Sequence, residues 1–540
     1  MTASVPASGS APDASPPRLW ELVVWRAGRS PDSVLLVDDL GRSLTAAGLR
    51  DAAERTAAGL ASLGVGEGTR VMWQLPTTLE AVVLSVALAR LGAVQNPLIP
   101  NFREAEIRAL DEQFQPEFAV VPTRWRGFEH ADVVHAVVGS RALLLICDHD
   151  SAPADGLALP SGDPSSLPPL PADDAARWVY TTSGSTARPK GVRHTDASVY
   201  ASANAMVETF GVNPDDVFPM AYPYAHIGGV SWLVAALRTG VRVVLLDTFD
   251  PATSPVAMAR HGATILGSAT PFFNAYMAAQ RAHDSGRLFD RLRMCMGGGA
   301  PVAPDLDEKV RDVLGGIGVL NGYGLTEFPV AGFPPPDNLA ARLTSSWLPG
   351  PGVEVRVVDI DGTELGVEVA GELCLRGPQR FAGYLEPHLD AAVLDAEGYV
   401  RTGDLAVLGR NGLVTITGRL KEIVIRNGEN VSLTEVEAVL ATHPAIADIA
   451  MVGLPDARTG ERCCAVVVAA SDLPPVTLDD LVTHCKNAGL ARYKIPEQLE
   501  TLPSVPRNAM GKIQRQQLRA AIIERATTAT SKQHHRPADE

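Results

Sequence analysis

An α/β architecture, a large layered domain followed by a small α+β one, is what three features of the sequence predict. First, strand-like runs alternate with helical ones: TRVMWQL (69–75) and EFAVVP (117–122) stand among LTAAGLRDAAERTAAGLASLG (44–64) and EAVVLSVALARLGAV (80–94). Strands separated by about 10–20 helical residues imply layers built on mainly parallel sheets. Second, the texture changes near residue 350 to shorter β-rich pieces. Third, 540 residues suffice for three or four units at about 150 residues each, and for burying large cores.

Taken in order, residues 1–17 hold four prolines among small side chains and read as an unstructured lead. A large domain is expected over 18–420, with further strands at VRVVLLD (241–247), ATILGS (263–268) and VEVRVVD (353–359). Residues 151–171 read as a proline-rich surface connection leading into the strand RWVYTTS. GELCLRG, YVRTGDLAVL and LVTITGR supply the late β pieces. A small domain over 421–525 has the helix SLTEVEAVLATHP, the strands IADIAMVGLP and CCAVVVAA, and another helix. Residues 526–540 read as a disordered tail, and no internal repeat is present.

Composition excludes several classes. Hydrophobic residues make up 46% and charged ones 20%, as in a globular chain. Lys and Arg number 47 against 62 Asp and Glu, a formal charge of −15, which argues against nucleic-acid wrapping. Six scattered cysteines, with no CxxC pair, form neither a disulfide scaffold nor a zinc knuckle. They fit a reducing cytoplasm. The N-terminus has no basic n-region and no apolar h-region, so no signal peptide is expected. The most apolar stretch, 81–94, contains Arg90 and falls short of the roughly 20 residues of a membrane helix. It reads as a buried helix.

Three runs carry chemistry. YTTSGSTARPKG (180–191) follows a strand and gathers Thr181, Thr182, Ser183, Ser185 and Thr186 around Gly184, with Lys190 beyond. Hydroxyls, flexible backbone N–H groups and a cation suit a polyphosphate; a plain polar loop is the other reading, since GxxxxGK[ST] is absent. NGYGLTE (321–327) presents Tyr323, Thr326 and Glu327 at a glycine-rich turn. A carboxylate beside a hydroxyl suits magnesium bridging phosphates, and a helix-capping threonine explains the run equally well. RTGD (401–404) puts Asp404 in a turn between strands. There it either accepts bonds from ribose hydroxyls or merely closes a hairpin.

These runs, with MGGGAP (296–301), GRLKEIVIRNGENV (418–431) and MGKIQR (510–515), stand in an order and spacing that resemble the adenylate-forming superfamily of acyl-CoA synthetases, luciferases and adenylation domains. The resemblance covers about residues 18–525. It implies the adenylate-forming fold, with a small mobile C-terminal domain carrying the catalytic lysine. Carried over by position, Thr182, Ser183, Gly184, Ser185, Thr186 and Lys190 enclose the ATP β- and γ-phosphates. Gly298, Gly299, Ala300 and Tyr323 line the adenine. Thr326 touches the α-phosphate, Glu327 holds magnesium, Asp404 binds the ribose with Arg419 nearby, and Lys512 reaches the carboxylate and α-phosphate. Lys421 matches the hinge and Gly428 faces the pantetheine channel. There is one departure: most relatives carry glycine where this chain has Ala187, whose methyl narrows the φ/ψ choices of the loop.

The implied activity is that of an ATP-dependent carboxylic acid–CoA ligase, using ATP, Mg2+ and coenzyme A and releasing AMP and pyrophosphate. The alternative is a stand-alone enzyme that loads an acyl or aryl group onto a separate carrier protein. No carrier domain is expected after residue 525. STARPKG, with HTD (194–196) and NPLIPNFR (96–103), resembles the subgroup acting on cyclohexanecarboxylate or medium-chain acids. Candidates for the acid pocket are Tyr224, His226, Gly229, Trp232, Phe272, Phe273 and Met296, with Gly228 and Gly229 leaving room beside the wall. His226 looks like the aromatic-or-histidine position near the acid; a hydrogen-bonded packing histidine is the other reading. No Lys or Arg stands in this segment, so a largely apolar acid is expected. The expected partners are that acid and coenzyme A, with no nucleic acid and no integral membrane segment; a homodimer is compatible with the chain.

Overall fold

The computed structural model describes residues 18–151, 156–182, 189–284, 286–299, 305–420, 423–426, 429–456, 458, 460–471, 473–488, 490–507 and 512–533. Of the expected site residues, Ser183, Gly184, Ser185, Thr186, Ala300, Lys421 and Gly428 lie outside them, as do Ala187 and the lead 1–17.

Three sheets with parallel cores build the large domain. One has six strands in the order Leu143–Ile146, Phe118–Val121, Arg70–Trp73, Val94–Pro97, Trp178–Thr182 and Lys190–His194, parallel except for its last pair. A four-stranded sheet pairs Val34–Asp38, Arg242–Leu245 and Val217–Met220 in parallel, with Ser43–Thr45 antiparallel at one edge. In the third, Ile265–Ser268, Met294–Gly298 and Val319–Leu325 are parallel, and Phe328–Phe333 and Leu348–Pro349 extend it antiparallel. The later β pieces form an antiparallel meander of Glu354–Val358, Ala370–Arg376, Val400–Leu408 and Val414–Arg419.

Burial explains the apolar stretch near residue 81. It becomes the helix Leu79–Leu91, capped by the Thr78 hydroxyl and ended by Gly92 at φ 69°, with all but one of its residues buried. Each fully buried aliphatic side chain contributes about 1.5–3 kcal/mol. Its one carboxylate, Glu80, takes a bidentate pair from Arg42 at 2.7 and 2.9 Å, as a buried charge requires. Among the described residues no helix is long and apolar enough to cross a membrane. The proline-rich connection is a strap: a Cβ on Gly59 would meet the Pro160 carbonyl carbon at 2.5 Å, so this glycine lets helix Ala46–Ser62 touch the strap directly.

The small domain is a separate sheet of Glu429–Ser432, Ile423–Arg426, Gly460–Ala469 and Ile446–Asp456, with Gln498–Thr501 beside Gly460–Ala469. It has its own core of Val424, Val431, Leu433, Val436, Leu440 and neighbours. One expectation fails here. The helix Arg515–Gln533 runs through residues assigned to the unstructured tail. Leu518 and Ile522 anchor its first turns against the sheet. Once nucleated, a helix extends at little cost through Ala, Thr, Ser, Lys and Gln, and the next proline is Pro537.

Candidate active site

The two strands that flank the expected phosphate-binding run form the base of a hairpin. Thr182 ends one strand, Lys190 begins the next, and the two are directly paired. Thr181 Oγ1 at that base is buried without a hydrogen-bond partner among the described residues.

Thr326 and Glu327 are the two turn residues between the paired Leu325 and Phe328. Every bond around them fixes this turn. The neutral His194 ring donates from Nε2 to the Thr326 carbonyl at 2.8 Å, while Nδ1 lies 2.9 Å from Ser198 Oγ. Burial holds this histidine down at about 4. The Glu327 carbonyl accepts from Phe381 N at 2.9 Å. One carboxylate oxygen of Glu327 accepts from the Tyr384 hydroxyl at 2.6 Å. Magnesium takes oxygen ligands, commonly one or two carboxylates plus substrate phosphates. Glu327 and Thr326 fit that demand. Among the described residues no group of three or more His, Cys, Asp and Glu could hold a metal unaided.

Asp404 sits within the strand Val400–Leu408 and not in a turn between strands as expected. An irregularity in the pairing with Ala370–Arg376, and Gly403 at φ 71°, give the local bend that the sequence suggested. Its carboxylate accepts from Tyr323 at 2.5 Å on one oxygen and from Arg419 Nε at 2.5 Å on the other. A carboxylate has about four acceptor positions, so two ribose hydroxyls can still be served. Tyr323 stacks on Trp347, centroids 5.3 Å apart and 8° from parallel. Gly298 and Gly299 are exposed at the carboxyl end of a parallel strand, where open α/β sheets bind ligands.

Lys512 comes from the small domain, yet a Cβ built on Gly299 would lie 3.9 Å from its Cε. Its charge also reaches His226. Desolvation first, then Lys512, pushes that imidazole down to about 4. Gly228 N donates to His226 Nδ1 at 3.1 Å, capping helix Ile227–Thr239. The ring proton therefore sits on Nε2. His226 is both the cap of a helix and a neighbour of the lysine, so neither sequence reading is excluded by the other.

Residues 23–385 match the AMP-binding enzyme family, and residues 435–512 match the AMP-binding enzyme C-terminal domain. The chain belongs to this family. This AMP-binding enzyme is an acid–thiol ligase of the AMP-forming class. It is 32% identical over 532 residues to the medium-chain fatty-acid–CoA ligase of Escherichia coli K12, covering 95% of this chain and 92% of that one. It is 30% identical to the salicyl-AMP ligase/salicyl-S-ArCP synthetase of Mycobacterium tuberculosis, over 93% and 90% of the two chains. Among solved structures, ATP-bound MatB from Rhodopseudomonas palustris superposes with a TM-score of 0.82 at 26% identity, covering 93% of this chain and 98% of that one. The o-succinylbenzoate CoA synthetase MenE of Bacillus subtilis, in complex with ATP and magnesium, gives 0.80 at 27%, covering 92% and 98%.

In this AMP-binding enzyme three of the expected pocket residues are core. Trp232 is fully buried and stacked on Phe218 at 3.7 Å, and Phe273 is fully buried in a second cluster. Tyr224 is spent on Ser85 Oγ at 2.6 Å. Gly229 opens no room, because a Cβ there would strike the Tyr224 carbonyl oxygen at 2.2 Å. Phe272 and Met296 remain half-buried beside those cores. Sequence reasoning passed over Tyr384, and took His194 only as part of HTD. Their partners lie 57 and 132 positions away, so no local spacing signals them.

Proposed function

We propose that this enzyme activates a largely apolar, medium-sized carboxylic acid of the alicyclic or medium-chain class. It is an ATP-dependent carboxylic acid–CoA ligase. The acid's carboxylate attacks the ATP α-phosphorus and expels pyrophosphate; the thiol of coenzyme A then attacks the acyl carbonyl and expels AMP, losing its proton. The first step joins two anions, so a cation at the developing charge is the main requirement.

In this reading Lys512 supplies that charge. The observation that carries it is the approach of Lys512, from the small domain, to Gly299 and His226 of the large one. Thr182, Ser183, Gly184, Ser185, Thr186 and Lys190 hold the β- and γ-phosphates, and Thr326 the α-phosphate. Gly298, Gly299, Ala300 and Tyr323 border the adenine, while Asp404, fixed by Arg419, takes the ribose. Glu327 is the magnesium ligand, and the bound ion neutralises phosphate charge. His226 offers a neutral Nε2–H towards the acid. The absence of Lys and Arg from residues 221–237 and the half-buried Phe272 and Met296 support an apolar acid, as does the name of the E. coli relative. The domain limits 18–420 and 421–525 belong to the same reading. So does a cytoplasmic location, which the six free, buried cysteines support.

Pyrophosphate release from Mg-ATP over straight-chain, cyclohexane, benzoic and cinnamic acids, each with and without coenzyme A, tests the proposal. Turnover that needs both coenzyme A and an alicyclic or medium-chain acid is expected. The M. tuberculosis relative is named for a carrier protein; a single equivalent of pyrophosphate, indifferent to coenzyme A, would point to that acceptor instead. Preference for benzoic or cinnamic acid would overturn the acid class. Should every acid be silent, Ala187→Gly separates a compromised phosphate loop from an untested acid.

A further inference from the structure

Residues Phe381–Leu385 lie between the phosphate hairpin and the Thr326–Glu327 turn and bond to both. Leu385 N donates to Gly191 O at 2.8 Å, Arg193 N to Gly383 O at 2.9 Å, and Phe381 N to Glu327 O at 2.9 Å. Tyr384 lies within this segment, its own N–H held by Asp390 at 2.8 Å. Its hydroxyl donates to Glu327 Oε1 at 2.6 Å, and the Lys190 ammonium stands 5.2 Å from its ring centroid. One side chain thus touches both charged groups assigned to the triphosphate and its metal.

We propose that Tyr384 is a positioning residue for adenylation: its hydroxyl aims the Glu327 carboxylate at the metal of metal–ATP, and its ring face fixes Lys190 towards the phosphates. This rests on the reading of Glu327 and Lys190 given above. The two contacts are chemically distinct. A neutral phenol donating to a carboxylate orients it without cancelling its charge. A π face attracts an ammonium within about 6 Å without taking its protons, so Lys190 keeps all its donors for phosphate. Burial and the Glu327 charge push the Tyr384 phenol well above its ordinary range.

Two variants separate the contacts. Tyr384→Phe keeps the ring and removes the hydroxyl; Tyr384→Leu removes both. Manganese(II) is titrated by electron paramagnetic resonance onto protein saturated with a non-hydrolysable ATP analogue, and metal-free binding of the analogue is measured separately. Thermal unfolding confirms that each variant is folded. Tyr384→Phe is expected to weaken manganese binding about tenfold or more, as losses of metal-orienting partners do, with metal-free analogue binding unchanged. Tyr384→Leu should weaken both. Thioester formation from supplied acyl-adenylate, which uses neither metal nor pyrophosphate, should survive in Tyr384→Phe.

Glu327→Gln is the control for the underlying reading. If it loses manganese while Tyr384→Phe binds it like the wild type, the positioning role is wrong and the metal ligand stands. If Glu327→Gln itself binds manganese normally, the metal assignment fails and the proposal with it. Equal loss of both half-reactions in a folded Tyr384→Phe would also overturn it.

Discussion

Single side chains here are legible through their charge and its surroundings. Lys512 is a cation delivered to a site where two anions must react, so Lys512→Ala should lower adenylation about 100- to 1,000-fold, the scale of losing one preorganised stabilising group. Thioester formation from supplied acyl-adenylate should persist; equal loss of both would reject the assignment. The two site histidines carry a different consequence. His194 and His226 are each pushed from an ordinary 6.5 down to about 4, by desolvation in both and by Lys512 as well in the second. Between those values the unfolded chain binds more protons than the native one, so stability falls as pH is lowered through that window. With one pKa unit equal to about 1.4 kcal/mol, urea denaturation should show a loss on the order of a few kcal/mol from pH 6.5 to pH 4. His194→Gln, which can still donate to the Thr326 carbonyl, should flatten that acid limb; an unchanged limb would mean that His194 is already charged.

The hairpin of NGYGLTE shows what an element adds to its residues. Its sequence reads as a glycine-rich turn, and the two strands meeting at Thr326 and Glu327 become visible only through pairing of Leu325 with Phe328. Gly324 has no positive φ to explain it, but a Cβ there would lie 2.1 Å from the Pro329 carbonyl oxygen. The neighbouring backbone occupies that space. Gly324→Ala should therefore cost at least about 1–3 kcal/mol through overpacking, and by splaying the strands it should displace Glu327 and raise the metal requirement of adenylation. Normal metal dependence in a destabilised variant would separate packing from positioning. The same element marks the limit of the sequence. Glu327, Asp404, Lys190 and Lys512 could be named as candidates because the runs that hold them, taken together in order and spacing, resemble a family's pattern. Tyr384 and the burial of Trp232 and Phe273 were not, since they depend on which distant surfaces come together. A tryptophan beside glycines reads alike whether it lines a pocket or, as here, stacks on Phe218 in a core. The strand position of Asp404 was not legible: RTGD reads as a turn between strands, and a bend within a strand, with Gly403 at φ 71°, gives the same local pattern.

Across the whole molecule, the function proposed here has the two domains divide one reaction between them. The small domain has an independent sheet and core, so it can move as a body. Its segment RNGEN (426–430) begins at Arg426, which is tied to that body through Tyr493 O at 2.7 Å and Glu497 at 2.6 Å. Lys512 belongs to the same body, so rotation would carry both together. In the present arrangement the lysine is at Gly299, the place that the proposed adenylation role asks of it. The thiol must then reach the carbonyl beside which the lysine stands, and one route is rotation of the small domain about the junction after Arg419. Arg419 itself is held to Asp404 in the large domain at 2.5 Å; the family resemblance puts the hinge two positions on, at Lys421, which lies outside the described residues, and we propose the pivot there. Proline fixes φ near −65° and removes the N–H. Lys421→Pro should then leave adenylation near its normal rate while slowing thioester formation on the order of tenfold, the effect of about 1.4 kcal/mol on a barrier. Single-turnover pyrophosphate release and acyl-CoA formation read the two halves separately. A uniform loss would mean that the junction only joins the domains, and that the thiol reaches the carbonyl without a turn at Lys421.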